Sequence, residues 1–327
     1  MGAVDELIRQ LRRGRLEERI RAAEALGQLG DPQAVPALLK TLDDDEEDTE
    51  VRIAAAHSIG QIGDSNAIPA LTEQLHEYKP IEVAKAAARA LRHFDDPQVI
   101  HALAKTATNQ KIMGDVRGVA VESLGDIGNP QAVDTLISIL EDQSVDDSVR
   151  AEVARALGRI GDPKAIEPLI RILQDDSGTS GSFLRKATAD ALGAFRDPRA
   201  TDALIQALGS NYYIARAAAD SLKSLRDRRA VEPLVRLLNE ESHHFTHQRD
   251  FAVQILGVLG DPRAIPALTK ALRDKNKDIR NSACESLQLF VLAHPDAILR
   301  IAPEDRNLLG RHIRDTQNDE LLQEICK

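Results

Sequence analysis

Cysteine and tryptophan are scarce in this sequence of 327 residues, and long apolar runs are missing. The chain has only two cysteines, Cys284 and Cys326, which cannot build a disulfide framework. A reducing compartment is therefore expected, and the cytoplasm is the predicted location. No run approaches the roughly 18 apolar residues of a membrane-spanning helix, and residues 1–10 lack the apolar core of a signal peptide. We therefore expect no contact with a membrane.

Common catalytic motifs are missing as well. The sequence contains no glycine-rich phosphate loop, no nucleophile elbow and no Cys-x-x-Cys pair. One histidine cluster, formed by His243, His244 and His247, has a spacing at which two imidazoles can meet on a helical turn around a metal ion. A solvent-exposed loop without a metal is the preferred interpretation of the same residues. The sequence therefore predicts no catalytic residue and no cofactor, and only a weak metal site.

An excess of positive charge is also lacking. The formal net charge is −10 at pH 7, and the basic residues are scattered along the chain. Proteins that bind nucleic acids obtain most of their affinity from a basic face. We therefore do not expect nucleic acid as a partner, although the total charge leaves a locally basic surface open.

The feature that is present throughout is a step of Asp-Pro type, which recurs at intervals of 30 to 35 residues. Self-similarity at a fixed period is typical of proteins built from stacked helical repeats. The clear copies are Asp31-Pro32, Asp96-Pro97, Asp162-Pro163, Asp197-Pro198 and Asp261-Pro262, and the variants at the same phase are Asp64-Ser65, Asn129-Pro130 and Asp227-Arg228.

The residues around each step predict two helices. Asp or Asn can cap the helix that follows, and proline suits its first position. Apolar residues three, four and seven positions after the step form one buried stripe, while prolines such as Pro36 should bend this first helix or delay its start. A bent first helix is the expected outcome. The second helix has Leu or Ile five residues before the next step, small pairs such as Ala55-Ala56, and a terminal glycine such as Gly63. Nothing in the pattern predicts a sheet.

Two segments carry a family resemblance. The segment from Val51-Arg52-Ile53-Ala54-Ala55-Ala56 to Ile62-Gly63-Asp64 and the segment Asp261-Pro262-Arg263-Ala264-Ile265-Pro266-Ala267-Leu268 resemble HEAT repeats, and more narrowly the short HEAT-like repeats named after phycobilisome lyases. The resemblance implies an all-α, right-handed α-α superhelix, a solenoid of the HEAT/armadillo type with about nine helix pairs. We expect one domain. Its solenoid covers residues 1–294, with units starting near 3, 31, 64, 96, 129, 162, 197, 227 and 261, and residues 295–327 form a helical cap and tail.

The resemblance implies function only broadly. We expect a non-catalytic scaffold that binds a protein partner on the concave face of the solenoid. The alternative is a phycobilin lyase or phycobilisome-associated factor, which would hold a bilin and a phycobiliprotein subunit. HEAT-like hydroxylases would show several His-Glu pairs at matching helical positions, and this chain has a lone pair, His76-Glu77. That enzyme class is therefore not expected.

An arginine twelve residues before most steps is predicted to be structural, because it resembles the HEAT arginine that bridges to acidic residues in neighbouring turns. We call these residues the ladder arginines. In repeats three and seven, Ala84 and Ala215 stand at the position of the ladder arginine. The ladder arginines are Arg19, Arg52, Arg117, Arg150, Arg185, Arg249 and Arg280.

Candidate contact residues concentrate in repeats seven to nine, where aromatic and apolar residues take positions that are polar elsewhere. Such residues on an exposed surface favour partner binding. The alternative is ordinary packing, in which the C-terminal cap covers Val258 and Leu289. The predicted partner-binding residues are Tyr212, Tyr213, Arg216, Phe251, Val258 and Leu289.

Overall fold

The computed structural model describes residues 2–175, 178, 180–240, 246–293 and 301–315. These residues form nineteen α-helices joined by turns and short 3₁₀ segments, and no strand occurs among them. The predicted all-α fold of about nine helix pairs is therefore confirmed. The helices fall into two compact units, which divide after Pro168.

The first unit contains the first five repeats, each a pair of antiparallel helices whose second members pack on one another. Its helices are α1 (Ala3–Arg13), α2 (Leu16–Leu29), α3 (Val35–Asp43), α4 (Thr49–Ile62), α5 (Ile68–Glu73), α6 (Ile81–Leu91), α7 (Pro97–Thr108), α8 (Gly114–Ile127), α9 (Pro130–Glu141) and α10 (Asp147–Ile160).

The second unit contains repeats seven to nine and the second helix of repeat six, and α11 (Ile166–Leu173) crosses the boundary. In the segment predicted to be a C-terminal cap, the structure describes one helix, α19. The helices of this unit are α12 (Ser182–Phe195), α13 (Thr201–Ala207), α14 (Tyr212–Leu225), α15 (Val231–Asn239), α16 (Thr246–Leu259), α17 (Ile265–Ala271), α18 (Lys277–Ala293) and α19 (Pro303–Asp315).

The recurring Asp-Pro step begins each first helix as the sequence predicted. The Asp31 carboxylate accepts a hydrogen bond from the Gln33 amide at 2.9 Å, and all six other aspartates at this phase do the same two residues on. In six repeats a 3₁₀ turn of three residues follows before the α-helix starts. In α3 and α5 the helix begins one residue before the internal proline, Pro36 or Pro69. The prolines therefore stand at a delayed helix start, where no helical hydrogen bond is lost, and the expected bend within the first helix was wrong for these two helices.

Seven of the second helices end in the left-handed backbone region, which glycine adopts without strain. Five of them end at a glycine with positive φ, among them Gly63 at 73°. Helices α12 and α14 end instead at Arg196 (φ 52°) and Arg226 (φ 51°). A residue with a side chain pays about 1–2 kcal/mol for this conformation. These two turns therefore hold arginine at a conformational cost.

Small residues let consecutive second helices approach closely. A Cβ on Gly60 of α4 would lie 2.9 Å from the Ala90 Cα of α6, and one on Gly193 of α12 would lie 2.9 Å from the Ser221 Cα of α14. Repeats three and seven carry Arg92 and Lys223 at this position. The helices that pack on these two residues, α8 and α16, therefore contact a long side chain, whereas Gly60 and Gly193 present no side chain to the next helix.

Four of the seven ladder arginines donate to a carbonyl near the end of their own first helix, and Arg19, Arg117 and Arg249 pair with acidic residues of the next repeat, which confirms a structural role. Arg52 is 2% exposed and donates from Nε to the Leu42 carbonyl at 3.0 Å, at the end of its own first helix. Its Nη2 donates to Gln74 Oε1 of the next repeat at 3.2 Å. Arg150, Arg185 and Arg249 make the same Nε bond to the carbonyls of Leu140, Leu173 and Leu238.

Within the described ranges, no helix has both the length and the apolar character needed to cross a membrane.

Candidate protein-binding surface

Helix α14 begins with two exposed tyrosines. Asn211 caps the helix, because its Oδ1 accepts hydrogen bonds from the amides of Tyr213 at 3.1 Å and Ile214 at 3.2 Å. The Asn211 Nδ2 also donates to Ser182 Oγ at the start of α12, at 2.9 Å. This cap fixes the first turn, in which Tyr212 is 48% exposed and Tyr213 is 69% exposed.

An aromatic cluster connects this turn to α16. The Tyr212 ring centroid lies 5.9 Å from that of Phe251 and 6.3 Å from that of His247. His247 and Phe251 meet edge to face at 6.3 Å, and Tyr213 meets Tyr212 edge to face at 5.9 Å. These separations lie in the range where aromatic pairs attract each other. Phe251 is 6% exposed, so it packs against Tyr212 as a buried residue and adds almost no exposed surface.

Arg216 extends the exposed surface by one helical turn. Its Nη1 donates to the Tyr212 hydroxyl at 3.4 Å, and its Nε lies 3.9 Å from a carboxylate oxygen of Asp220. Tyr212, Tyr213 and Arg216 therefore form one exposed patch, which we call the tyrosine surface. Tyrosine and arginine are the residue types that contribute most often to the centre of protein interfaces.

Repeat seven lacks the ladder arginine. Ala215 is fully buried at the position where seven other repeats have an arginine. After α13, the amides of Leu208, Gly209 and Ser210 donate to the carbonyls of residues 205, 206 and 207 at 2.9 to 3.2 Å. The same turn follows α17 in repeat nine, which has Arg280, so the turn is not a substitute for the arginine.

The remaining two predicted contact residues lie elsewhere. Val258 is half-buried near the C-terminal end of α16, seven residues beyond Phe251 and thus about 10 Å further along the helix. Leu289 is 56% exposed near the end of α18. Neither belongs to the aromatic cluster around Tyr212. The structure brings together four of the six predicted residues, namely Tyr212, Tyr213, Arg216 and Phe251.

The predicted histidine cluster is only partly visible. His243 and His244 lie outside the described residues, and His247 takes part in the aromatic cluster with its Nε2 buried. In the described part of the chain, no three His, Cys, Asp or Glu residues are grouped so that they could hold a metal ion. Burial raises the pKa of Cys284 to about 11, so this cysteine stays a thiol at neutral pH.

Sequence reasoning missed a similar arrangement in repeat three, the other repeat without a ladder arginine. Ala84 is buried there against Ile112 and Val116 of the next repeat. Tyr78, three residues before the start of α6, is 89% exposed. Met113, directly before α8 of repeat four, is 59% exposed. Repeats one and six keep their ladder arginine and also expose large apolar side chains, Leu16 and Phe183, so exposed apolar residues do not distinguish the two repeats without it.

A family model for HEAT repeats matches this chain in eight overlapping stretches that run from residue 4 to residue 326. A search of curated proteins finds no significant match. Among solved structures, karyopherin Kap121p bound to the SUMO protease Ulp1p is 14% identical, with a TM-score of 0.65 over 99% of this chain and 40% of that one. A chain of the Kap95p–RanGDP structure is 13% identical, with a TM-score of 0.65 over 95% of this chain and 50% of that one.

The human deoxyhypusine hydroxylase is 21% identical over 81% of this chain and 99% of its own, with a TM-score of 0.37, which is too low to support an argument. At such identities the likeness to the karyopherins shows the fold alone, and this chain spans about half or less of their length. The family match covers nearly every residue. The chain belongs to the family of HEAT-repeat proteins.

Proposed function

We propose that the protein is a non-catalytic scaffold that binds a protein partner through the tyrosine surface. The observation that carries the proposal is the pair of tyrosines held exposed by a helix cap above a buried Phe251, with Arg216 beside them. A rigid aromatic pair on an ordered helix end loses little conformational entropy when it binds. The tyrosine surface lies on a second helix, the layer that usually lines the concave side of HEAT solenoids.

The fold supports the same class of function. Kap121p, which has this fold, was crystallised with the SUMO protease Ulp1p, so HEAT solenoids include proteins that hold other proteins. Only the class of activity is carried over to this chain. Cys284, a buried thiol, fits a reducing compartment, and the cytoplasm remains part of the proposal.

The test compares three forms of the full chain as bait in lysate of the source organism. We expect Tyr212→Ala/Tyr213→Ala to lose a partner that the wild type captures, with at least a tenfold drop for a pair of hot-spot residues. Tyr78→Ala, which removes an exposed tyrosine from repeat three, is the matched control. Equal capture by all three forms, measured by quantitative mass spectrometry, would refute the proposal.

A second candidate is a factor that holds a bilin and a phycobiliprotein subunit. Two features favour it: the aromatic cluster of Tyr212, His247 and Phe251, and the neighbouring guanidinium of Arg216, which could pair with a bilin carboxylate. The bilin would then be the only cofactor. An absorbance scan of the captured material separates the candidates, because a bilin absorbs visible light. A colourless eluate with a single partner protein supports the scaffold.

A further inference from the structure

Three consecutive turns of the second unit carry exposed arginines. They join α12 to α13, α14 to α15 and α16 to α17, and each contains the recurring aspartate. We call the six side chains the arginine edge. Its members, all exposed, are Arg196, Arg199, Arg226, Arg228, Arg229 and Arg263.

The corresponding turns of the first unit have no arginine at these positions. Before the aspartate or asparagine they carry glycine or Asp95, directly after it proline or Ser65, and at the second position after it glutamine, Asn66 or Lys164. Six arginines and three aspartates leave a net charge of +3 on the three turns of the second unit. Positive charge is therefore concentrated on these three turns, although the whole chain has a net charge of −10.

Two of these arginines occupy a backbone conformation that other repeats give to glycine. Arg196 and Arg226 have φ values of 52° and 51°, whereas five other second helices end at glycine. Among the described residues, these two are the only non-glycine residues with positive φ. Strained residues are often retained because the side chain has a task. Neither side chain has a hydrogen bond or ion pair within the described chain, so no internal polar contact accounts for these two arginines.

Three others are held in fixed orientations, because Arg199, Arg229 and Arg263 each pair with the aspartate of their own turn. Arg229 donates from Nε to Asp227 Oδ2 at 2.8 Å and from Nη2 to the Pro198 carbonyl of the preceding turn at 2.5 Å. Arg263 pairs in the same way with Asp261 and donates to the Arg228 carbonyl at 3.3 Å. The hydrogen bond from Arg263 holds the pKa of Asp261 below its usual value. These bonds connect each turn to the one before it and leave the three guanidinium groups of Arg196, Arg226 and Arg228 facing solvent.

We propose that the arginine edge binds an extended, acidic peptide segment of a partner protein. Guanidinium groups bind carboxylates with two parallel hydrogen bonds. Neighbouring repeats are about 8–10 Å apart, which equals about three residues of a polyproline II segment at about 3.1 Å each. Because this conformation has three residues per turn, carboxylates at every third residue would lie on one face of the peptide and meet each turn in succession.

Nucleic acid fits the edge less well. Single strands are bound through aromatic platforms as well as positive charge. The exposed aromatic residues of the described chain, including Tyr212 and Tyr213, stand at the opposite ends of the second helices. Helix α14 has 14 residues, so the arginine edge and the tyrosine surface are about 20 Å apart. The inference is therefore independent of the proposed function.

The test uses substitutions that restore the residues of the other repeats. Arg196→Gly/Arg226→Gly/Arg228→Pro removes three charges while relieving the strain at two turns, so this variant should melt no lower than the wild type. The control, Arg12→Gln/Arg13→Gln/Arg21→Gln, removes three exposed charges from the first unit. The probe is a fluorescein-labelled peptide of about eight glutamates, long enough to pass three turns. Fluorescence anisotropy at about 50 mM salt measures its affinity for each full-length form.

We expect the wild type and the control to bind the peptide equally, and the arginine-edge variant to bind at least about tenfold more weakly. An equal loss in both variants would overturn the proposal, because it would show unspecific attraction. Absence of peptide binding to the wild type would overturn it too. A labelled oligothymidylate that binds the wild type more tightly than the peptide, and loses this affinity in the arginine-edge variant, would assign the edge to nucleic acid instead.

Discussion

Repeats two and seven share the same pair of helices, but their second helices, α4 and α14, carry different residues at matching positions. Repeat two places Arg52 inside, where it joins two helix ends, and starts α4 with the polar pair Thr49 and Glu50. Repeat seven has buried Ala215 at the arginine position, and its α14 starts with Tyr212 and Tyr213.

The difference continues to the other end of the second helix. Repeat two has Gly60, which touches the next helix, and ends at Gly63, whereas repeat seven has Lys223 and Arg226 at the same positions. Two positions that are glycine in repeat two therefore carry the long side chains Lys223 and Arg226 in repeat seven, and an exposed polar pair at the start of the second helix is replaced by two exposed tyrosines. The two repeats thus differ in surface residues while they share buried residues at the same phase, such as Ile59 and Leu222.

The largest expected effect concerns the core that both repeats share. Ile59 of α4 and Leu222 of α14 stand at the same phase and are at most 2% exposed. Replacing either with alanine should lower the free energy of unfolding by about 2–5 kcal/mol, because a cavity remains. Urea denaturation followed by circular dichroism measures both values. A loss below 1 kcal/mol at Leu222 alone would mean that repeat seven has a different core.

The second effect separates the two repeats. Arg52→Met should cost about 1–3 kcal/mol, since it leaves the buried Leu42 carbonyl without its donor. Arg216→Met in repeat seven, where the side chain is exposed, should change stability by less than about 0.5 kcal/mol. The same denaturation experiment compares them, and equal losses would contradict the assignment of Arg52 as internal and Arg216 as external.

A smaller effect is expected where consecutive second helices touch. Gly60→Ala should destabilise by about 1 kcal/mol, because overpacking against Ala90 outweighs the gain in helix propensity. Lys223→Ala, at the matching position of repeat seven, should be close to neutral. Thermal melting of the two variants tests this expectation. A Gly60→Ala variant more stable than the wild type would show that α4 and α6 leave space for the added methyl group.

The smallest effect has the opposite sign. Arg226→Gly should stabilise the protein by about 0.5–1 kcal/mol, because glycine adopts the left-handed conformation without strain. The reverse change in repeat two, Gly63→Arg, should destabilise by a similar amount. Paired melting curves test both changes, and an unstable Arg226→Gly would indicate that the arginine side chain makes a contact of its own.

Much of the frame was predictable because it depends on local chemistry. The capping aspartates, the buried leucines such as Leu38 and the ladder arginines follow from helix periodicity and from resemblance, and the structure confirms them. The left-handed Arg196 and Arg226 could not be foreseen, since a sequence rule expects glycine or asparagine there. The arginine edge was missed for a related reason, because residues 30 to 35 apart look scattered until the turns are stacked.

The candidate surface was predictable only in part. Tyr212 and Tyr213 stand at a helix start with a capping Asn211, so their exposure could be read from the sequence. The burial of Phe251 depends on how close α14 and α16 lie, which periodicity does not determine. Val258 and Leu289 share a helical phase but lie away from the cluster at Tyr212.

The central claim is that repeat seven contacts a protein partner through its tyrosines. Its most direct test places a photo-crosslinking benzoylphenylalanine at position 213, and in a second form at position 78, in the full chain expressed in the source organism. The account predicts a covalent adduct with one partner protein from position 213 and none with that protein from position 78. The same adducts from both positions, or none from position 213, would contradict it.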